Sequence, residues 1–476
     1  MRLDSGTMAA ALVLQPDRSK GDRALNRKPS LFVTAMMVTT ILVQACSSAA
    51  SPSTQSTAPS SGTSPAAATS PAAPSAPAAP VTLTLWHNYG VEANATVTQA
   101  LAKAYMAANP NVTIQLVAQP ADNYFALLKA AAIAKTGPDL LTMWTGLFAL
   151  QNQAFLEPLN QYIPVDTLNK FDGVNWCSKN LDVNSGAICV PLDLQYYNGF
   201  YNKDLFTKAG ITSFPTTWDE LYAACDKLKA INVLPFTYGT GLQALNAGFY
   251  PYYDLSYMMM MYSVADWKKL YNGQIAWTDP AIVAQLTKWA ALKTKGCTNT
   301  DVLANNESVS QFETGKAAMT MEGSWGFQEF SAKLGAKVGV FVPPFSDTPI
   351  KGVVEFPGDG FGVTSYSQHK AEAAAFLAWM VTPDAQKIIA DGGLIPTVAG
   401  TSATQPLATA MLDYAANQGF ARYPMIDNVI QPEVTDVATK VLDAVLAGTM
   451  SPQDAAQKIQ DALMALPADR RGDTFQ

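Results

Sequence analysis

Aromatic and neutral polar side chains collect at a few points of this 476-residue chain, each at the close of a run that reads as a β-strand. Trp86-His87-Asn88 ends the run 81–86, Trp144-Thr145 ends 140–144, and Tyr238-Gly239 ends 233–238. Flat rings offer apolar platforms, amides and hydroxyls offer donors and acceptors, and a glycine exposes backbone amides. That set suits a polar ligand with hydroxyls on its rim and C–H groups on its faces, as a sugar has. Other chemistries lack their residues. With only two histidines, His87 and His369, no histidine-based metal site is expected. Neither G-x-S-x-G nor H-E-x-x-H occurs. Gly315-Lys316 lacks the upstream glycine and the following Ser or Thr of a nucleotide phosphate loop. Gly239-Thr-Gly241-Leu-Gln-Ala244 fits a loose dinucleotide fingerprint, but it lies mid-chain with no clear helix after it. No cofactor is therefore expected. The carboxylates Asp139, Asp193, Glu322 and Asp359 keep one rival open, an enzyme that places two of them about a glycosidic bond. Met258–Met261 reads as adaptable packing.

The elements that must hold these residues alternate between strand and helix. Val81–Trp86 is β-branched and alternating; Val97, Leu101 and Tyr105 then recur at helical spacing until Asn109-Pro110. Val112, Ile114 and Leu116 predict a second strand, Asp122 to Lys135 a helix ended by Gly137-Pro138, and Leu140–Trp144 a third strand. This order argues for a largely parallel sheet covered by helices. Further on, Thr217-Trp-Asp-Glu220 is a capping box, and Asp279-Pro280, Thr382-Pro383 and Ser451-Pro452 are cap-plus-proline helix starts. The length suits two α/β lobes. Hydrophobic residues make up 49% of the chain and charged residues 14%, with a formal net charge of −7, so nothing marks a nucleic-acid binder.

Two blocks are specific. Tyr201-Asn-Lys-Asp-Leu-Phe-Thr-Lys-Ala-Gly-Ile211, continued by Pro215-Thr-Thr-Trp-Asp-Glu-Leu221, and Phe312-Glu-Thr-Gly-Lys-Ala-Ala-Met-Thr-Met-Glu-Gly-Ser-Trp325 resemble signatures of the family 1 extracellular solute-binding proteins, the carbohydrate-type receptors of ABC importers. Leu85-Trp-His87, Gly137-Pro-Asp139 and Phe155-Leu-Glu-Pro-Leu159 match in order, so the resemblance spans about 81–465. It implies a two-lobed periplasmic-binding-protein-like α/β fold with a ligand cleft between the lobes. Lobe 1 would hold 81–192 plus 337–382, lobe 2 193–336 plus 383–466, with 467–476 as a tail. Crossings would fall near Leu192–Tyr196, Ala336 and Thr382. The resemblance adds to the candidate site Asp193, Gln195 and Tyr196 at the first crossing, Trp325, the glycine-rich Gly358-Asp359, and Arg422 in the C-terminal segment. The implied function is capture of a small polar solute, a mono- or oligosaccharide, by lobe closure and delivery to ABC permease subunits, without catalysis. A lipoprotein that presents its ligand to a sensor is the remaining alternative.

The N-terminus reads as an address. Arg23, Arg27 and Lys28 precede the uncharged run 31–45, which is shorter than a membrane span needs. Val43-Gln-Ala-Cys46 resembles a lipobox, which implies a signal peptide over 1–45 and lipidation, as with palmitate, of Cys46. Residues 46–80, rich in Ser, Thr, Ala and Pro and free of charge, then form a disordered tether. The expected location is extracytoplasmic, on the bacterial cell membrane through that lipid, as a monomer. Four further cysteines suit disulfides in an oxidising compartment. Of three possible pairings, Cys177–Cys189 with Cys225–Cys297 keeps the loops short and separate.

Overall fold

The computed structural model describes residues 79–90, 93–242 and 249–471, which lie within one compact unit, Ser75–Gln476. The expected signal peptide, Cys46 and nearly all of the tether lie outside the described residues.

Eleven strands among the described residues form two sheets. The first is built from β1 (Val81–His87), β2 (Val112–Ala118), β3 (Leu140–Trp144), β4 (Val190–Pro191) and β10 (Asp359–Val363), in the order β2-β1-β3-β10-β4. The second takes β5 (Leu194–Asn202), β6 (Leu234–Thr237), β7 (Ala317–Gly323), β9 (Gly352–Pro357) and β11 (Ala421–Tyr423), in the order β11-β9-β5-β7-β6, with β8 (Val338–Phe341) also paired to β5. β1 runs parallel to β2 and β3, as the alternation of strands and helices predicts, whereas β10 enters antiparallel between β3 and β4.

Local chemistry sets the helix starts. Thr217 Oγ1 accepts from the Glu220 amide at 3.4 Å while the Glu220 carboxylate reaches back to the Thr216 amide at 2.7 Å, so the helix Trp218–Ala230 begins there. Asp279 accepts from the Ala281 amide at 2.8 Å, with Pro280 first in the helix Pro280–Thr294. Three cores cover the sheets, and the largest runs from Leu141 and Met143 of β3 into the second sheet. Leu83, Leu85, Val97, Leu101 and Phe376 pack about the first sheet; Trp218, Trp289, Met319 and Leu442 fill one face of the second, and Phe200, Phe312 and Phe330 the other. The cysteines pair as Cys177–Cys189 and Cys225–Cys297, with Cα separations of 5.3 and 5.4 Å.

Two of the anticipated crossings fall elsewhere. The chain does not return to the first sheet at Ala336. β8 and β9 are apolar strands whose backbone partners lie on β5, so the return waits until Gly358, between β9 and β10. The chain also stays with the first sheet past Thr382. Ala385 and Ile389, on the helix Pro383–Asp391, bury among Val97 and Leu101, and the crossing comes where Ile395 bridges to Leu194. The first crossing lies at Leu192–Leu194, tied on both sides: the Leu192 amide donates to the Asp359 carbonyl at 2.7 Å and the Gly358 amide to the Asp193 carbonyl at 2.9 Å.

Candidate functional site

The edges of both sheets meet at a narrow cavity. The first sheet supplies Trp144, the last residue of β3, then Thr145, with Asp359 of β10 paired directly opposite Trp144. From the second come Gln195 on β5, Phe356 on β9, Trp325 just after β7, and Met425, Asp427 and Asn428 after β11. Tyr253 enters from the helix Phe249–Met258, and Gly358 lies at the crossing. The volume is about 40 Å³, room for a few waters. A solute of several carbons must part the edges to enter.

Most polar groups in and around the cavity are held in place. Asn94 Nδ2 donates to Asp359 Oδ2 at 3.1 Å, and Gln195 Nε2 lies 3.2 Å from Asp193 Oδ2. Thr145 donates to the Pro357 carbonyl and receives Asn428 Nδ2 at 3.4 Å, a direct link from one sheet edge to the other. Gly146, at φ 75°, permits that approach, since a Cβ there would lie 2.8 Å from the Asn428 Cβ. Trp325 Nε1 and the Tyr250 hydroxyl both donate to Glu322 Oε1, and the Leu242 amide donates to Oε2 at 3.0 Å. Trp144 packs against Phe125 and Phe148, with centroids 4.8 and 5.0 Å apart, in an aromatic group beside the cavity. Burial, reinforced by the Asp359 charge, pushes the Asp193 carboxyl well above the ordinary range. Burial also lifts Asp427, to about 6, against a lowering hydrogen bond from Tyr253.

Of the residues the sequence nominates, Trp144, Thr145, Gln195, Trp325, Gly358 and Asp359 line this cavity, and Asp193 stands directly behind Gln195. The others do not line it. Trp86 lies against Gly137, 3.8 Å from where its Cβ would be. His87 is buried and stacked on Tyr89 at 5.4 Å, with burial lowering its pKa, and Asn88 accepts from Thr142 Oγ1 at 3.1 Å. Tyr196 and Tyr238 are core residues whose hydroxyls are taken by Glu355 and Asp254. Gly239 packs on the Asn305 backbone. Arg422 pairs with Glu355 at 3.1 Å and lines a second cavity of about 430 Å³. Leu194, Glu355 and Pro357 also line that cavity, on the face of β5 and β9 opposite Gln195, and Phe356 borders both cavities. Tyr253, Phe356, Met425, Asp427 and Asn428 were not nominated. Tyr250, Tyr253, Asp254 and Tyr257 do recur at helical spacing, a signal that marks one face of the helix carrying Tyr253.

Comparison with known proteins decides the family. The model of the bacterial extracellular solute-binding proteins matches residues 89–387. The chain belongs to that family. This solute-binding protein is 27% identical over 320 residues to an uncharacterized ABC transporter extracellular-binding protein of Pyrococcus horikoshii, across 64% of this chain and 68% of the relative. Its structure is similar to that of a chitin oligosaccharide binding protein (TM-score 0.69, 26% identity, 81% of this chain and 98% of the other). It is also similar to a cyclic alpha-maltosyl-1,6-maltose binding protein from Arthrobacter globiformis (TM-score 0.61, 25% identity, 81% and 98%). The fold is accordingly the two-lobed one of solute-binding proteins, with the narrow cavity where the sheets meet. No described helix of the solute-binding protein is long and apolar enough to cross a membrane.

Proposed function

We propose that this protein captures a mono- or oligosaccharide between its lobes and delivers it to the transmembrane subunits of an ABC importer, held at the membrane by a lipid on Cys46. The lobes are read as 81–192 with 359–394, and 193–358 with 395–466, joined at the three crossings. The observation that carries the reading is the composition of the cavity. Two tryptophans and a tyrosine supply platforms, and Gln195, Asn428 and Asp359 supply donors and acceptors from both sheet edges. The names of the relatives, which include oligosaccharide-binding and ABC transporter proteins, agree with it.

The mechanism follows from the geometry. With the edges apart, a sugar meets one wall; with them together, it meets both. Binding therefore favours the closed form by the difference in contact. The Asn428–Thr145 hydrogen bond closes the edges without ligand, so an entering hydroxyl must replace what that bond supplies. Thermal-shift and calorimetric titration against hexoses, disaccharides and polyols test the reading. A saturating sugar should add about 2.7 kcal/mol of stability at a hundred times its Kd. A panel in which no sugar shifts the melt, or in which the bound sugar is cleaved, refutes it. For the anchor, labelled palmitate should enter the wild-type chain and not Cys46→Ala.

A further inference from the structure

The charged side chains that line the central cavity are all acidic. Asp359 and Asp427 line it, Asp193 stands behind Gln195, and Glu322 behind Trp325. No Lys, Arg or His lines it. The undescribed segments inside the body add none, since 91–92 reads Val-Glu and 243–248 reads Gln-Ala-Leu-Asn-Ala-Gly. Arg422 and Lys268 open instead onto the second cavity, where Arg422 is engaged by Glu355.

Four carboxyl groups around a small cavity without a base carry a desolvation cost that hydrogen bonds offset only in part. Asn94 serves Asp359, Gln195 serves Asp193, and Tyr250, Trp325 and Leu242 serve Glu322. Asp427 receives Tyr253 but is only partly served. Its Oδ1 is buried and has no hydrogen-bond partner, and the residue lines the cavity. A sugar hydroxyl would give that oxygen one neutral donor. An ammonium group would give up to three donors and the opposite charge as well. The rings of Trp144, Trp325 and Tyr253, which line the same space, add faces that attract a cation.

We propose that the preferred solute is an amino sugar, a saccharide whose protonated amine sits against Asp427 and within the field of Asp359 and Asp193. This rests on the saccharide reading above and narrows it. Proton exchange comes with it. The groups facing Asp427 are Tyr252 and Tyr253 from the helix Phe249–Met258, with Asp359 across from Tyr253; Asp193 in turn faces Asp359. Burial raises Asp427 and Asp193 and keeps the Tyr252 and Tyr253 phenols neutral, so the empty site holds carboxyl protons that an entering ammonium displaces. Binding should release protons to the buffer and tighten as pH rises from 5 to 7.

Calorimetric titration of the protein with glucosamine and its β-1,4-linked disaccharide, against glucose, N-acetylglucosamine and their disaccharides, is the test. We expect the amine form to bind at least about tenfold more tightly than its neutral counterpart at pH 7, within reach of one buried charge-assisted pair. Asp427→Asn should narrow that ratio toward one. Should the variant fail to fold, the wild type still answers, because its binding heat must differ between buffers of different ionisation enthalpy. Neutral sugars that bind as well as the amines, or heats independent of buffer, overturn this inference and leave the saccharide reading standing. Binding of no sugar at all removes both.

Discussion

Replacing Trp325 by alanine separates the role of its ring in packing from its role in binding. The side chain is only 4% exposed, so truncation removes nearly a whole buried indole and should cost about 3–5 kcal/mol of stability. Glu322 loses one donor and keeps two, the Tyr250 hydroxyl and the Leu242 amide, so it is not stranded. Against an ordinary stability of about 5–15 kcal/mol, the variant should remain largely folded at 25 °C with a lower melting temperature. Gly323 shows how closely the ring is seated, since a Cβ there would fall 2.0 Å from Trp325 Cζ3. With the platform gone, sugar affinity should fall at least about tenfold, the scale of one aromatic contact in a closed site. Calorimetry on the folded variant, with Trp325→Phe as the ring-preserving control, reads both effects. A well-folded Trp325→Ala that binds its sugar as the wild type does would remove this residue from the site and weaken the case for the cavity itself.

Three further outcomes follow from the structure. Asp254 is fully buried, accepts from Tyr197, Tyr238 and Trp289 at 2.9, 2.5 and 3.1 Å, and is pushed by burial to about 7. The folded chain therefore holds a proton that the unfolded chain releases above about pH 4. Its contribution is complete below that point and is lost as pH rises through about 7, a span worth about 4 kcal/mol. Asp254→Asn should flatten this part of the pH profile of urea unfolding, at a cost of about 1–3 kcal/mol for the donor its single oxygen leaves unserved; an unchanged pH slope would contradict the assignment. Gly358→Ala would place a Cβ 2.2 Å from the Gln195 side chain, so affinity should fall about tenfold as Gln195 is displaced from Asp193, and an unaffected Kd would show that Gln195 does not matter. Opening the Cys225–Cys297 bridge, which spans 72 residues, by paired alanine substitution should cost about 4 kcal/mol in denaturant titrations, against about 3 for the 12-residue Cys177–Cys189 loop; equal or reversed losses would count against loop entropy as the cause.

The architecture was legible where local signals agree. The β-branched run at Val81, the capping box at Thr217 and the cap-plus-proline at Asp279 lie where the helices and strands begin. The sequence blocks at 201–221 and 312–325 pointed to the family that the comparison found over 89–387. What stayed hidden was long-range. Nothing local tells Val338–Phe341 whether its partner is β5 or the first sheet, because pairing is settled by strands far away in sequence. The site was half legible for the same reason. Residues ending a strand at the cavity, such as Trp144, were found from pattern, but Trp86, one residue short of the end of β1, turns to Gly137 instead. Asp427 and Asn428 follow a strand of three residues, too short to announce an edge.

The place of β10 in the first sheet has a bearing on biosynthesis. It stands between β3 and β4, yet it is reached only after nearly all of the second sheet has been made; the Thr145–Pro357 contact beside it spans 212 residues. A ribosome would thus release most of the polypeptide before the first sheet has this inner strand. Such non-local pairing slows folding. For a member of an extracellular family, that delay is useful, because a secretion channel accepts a thread more readily than a finished globule.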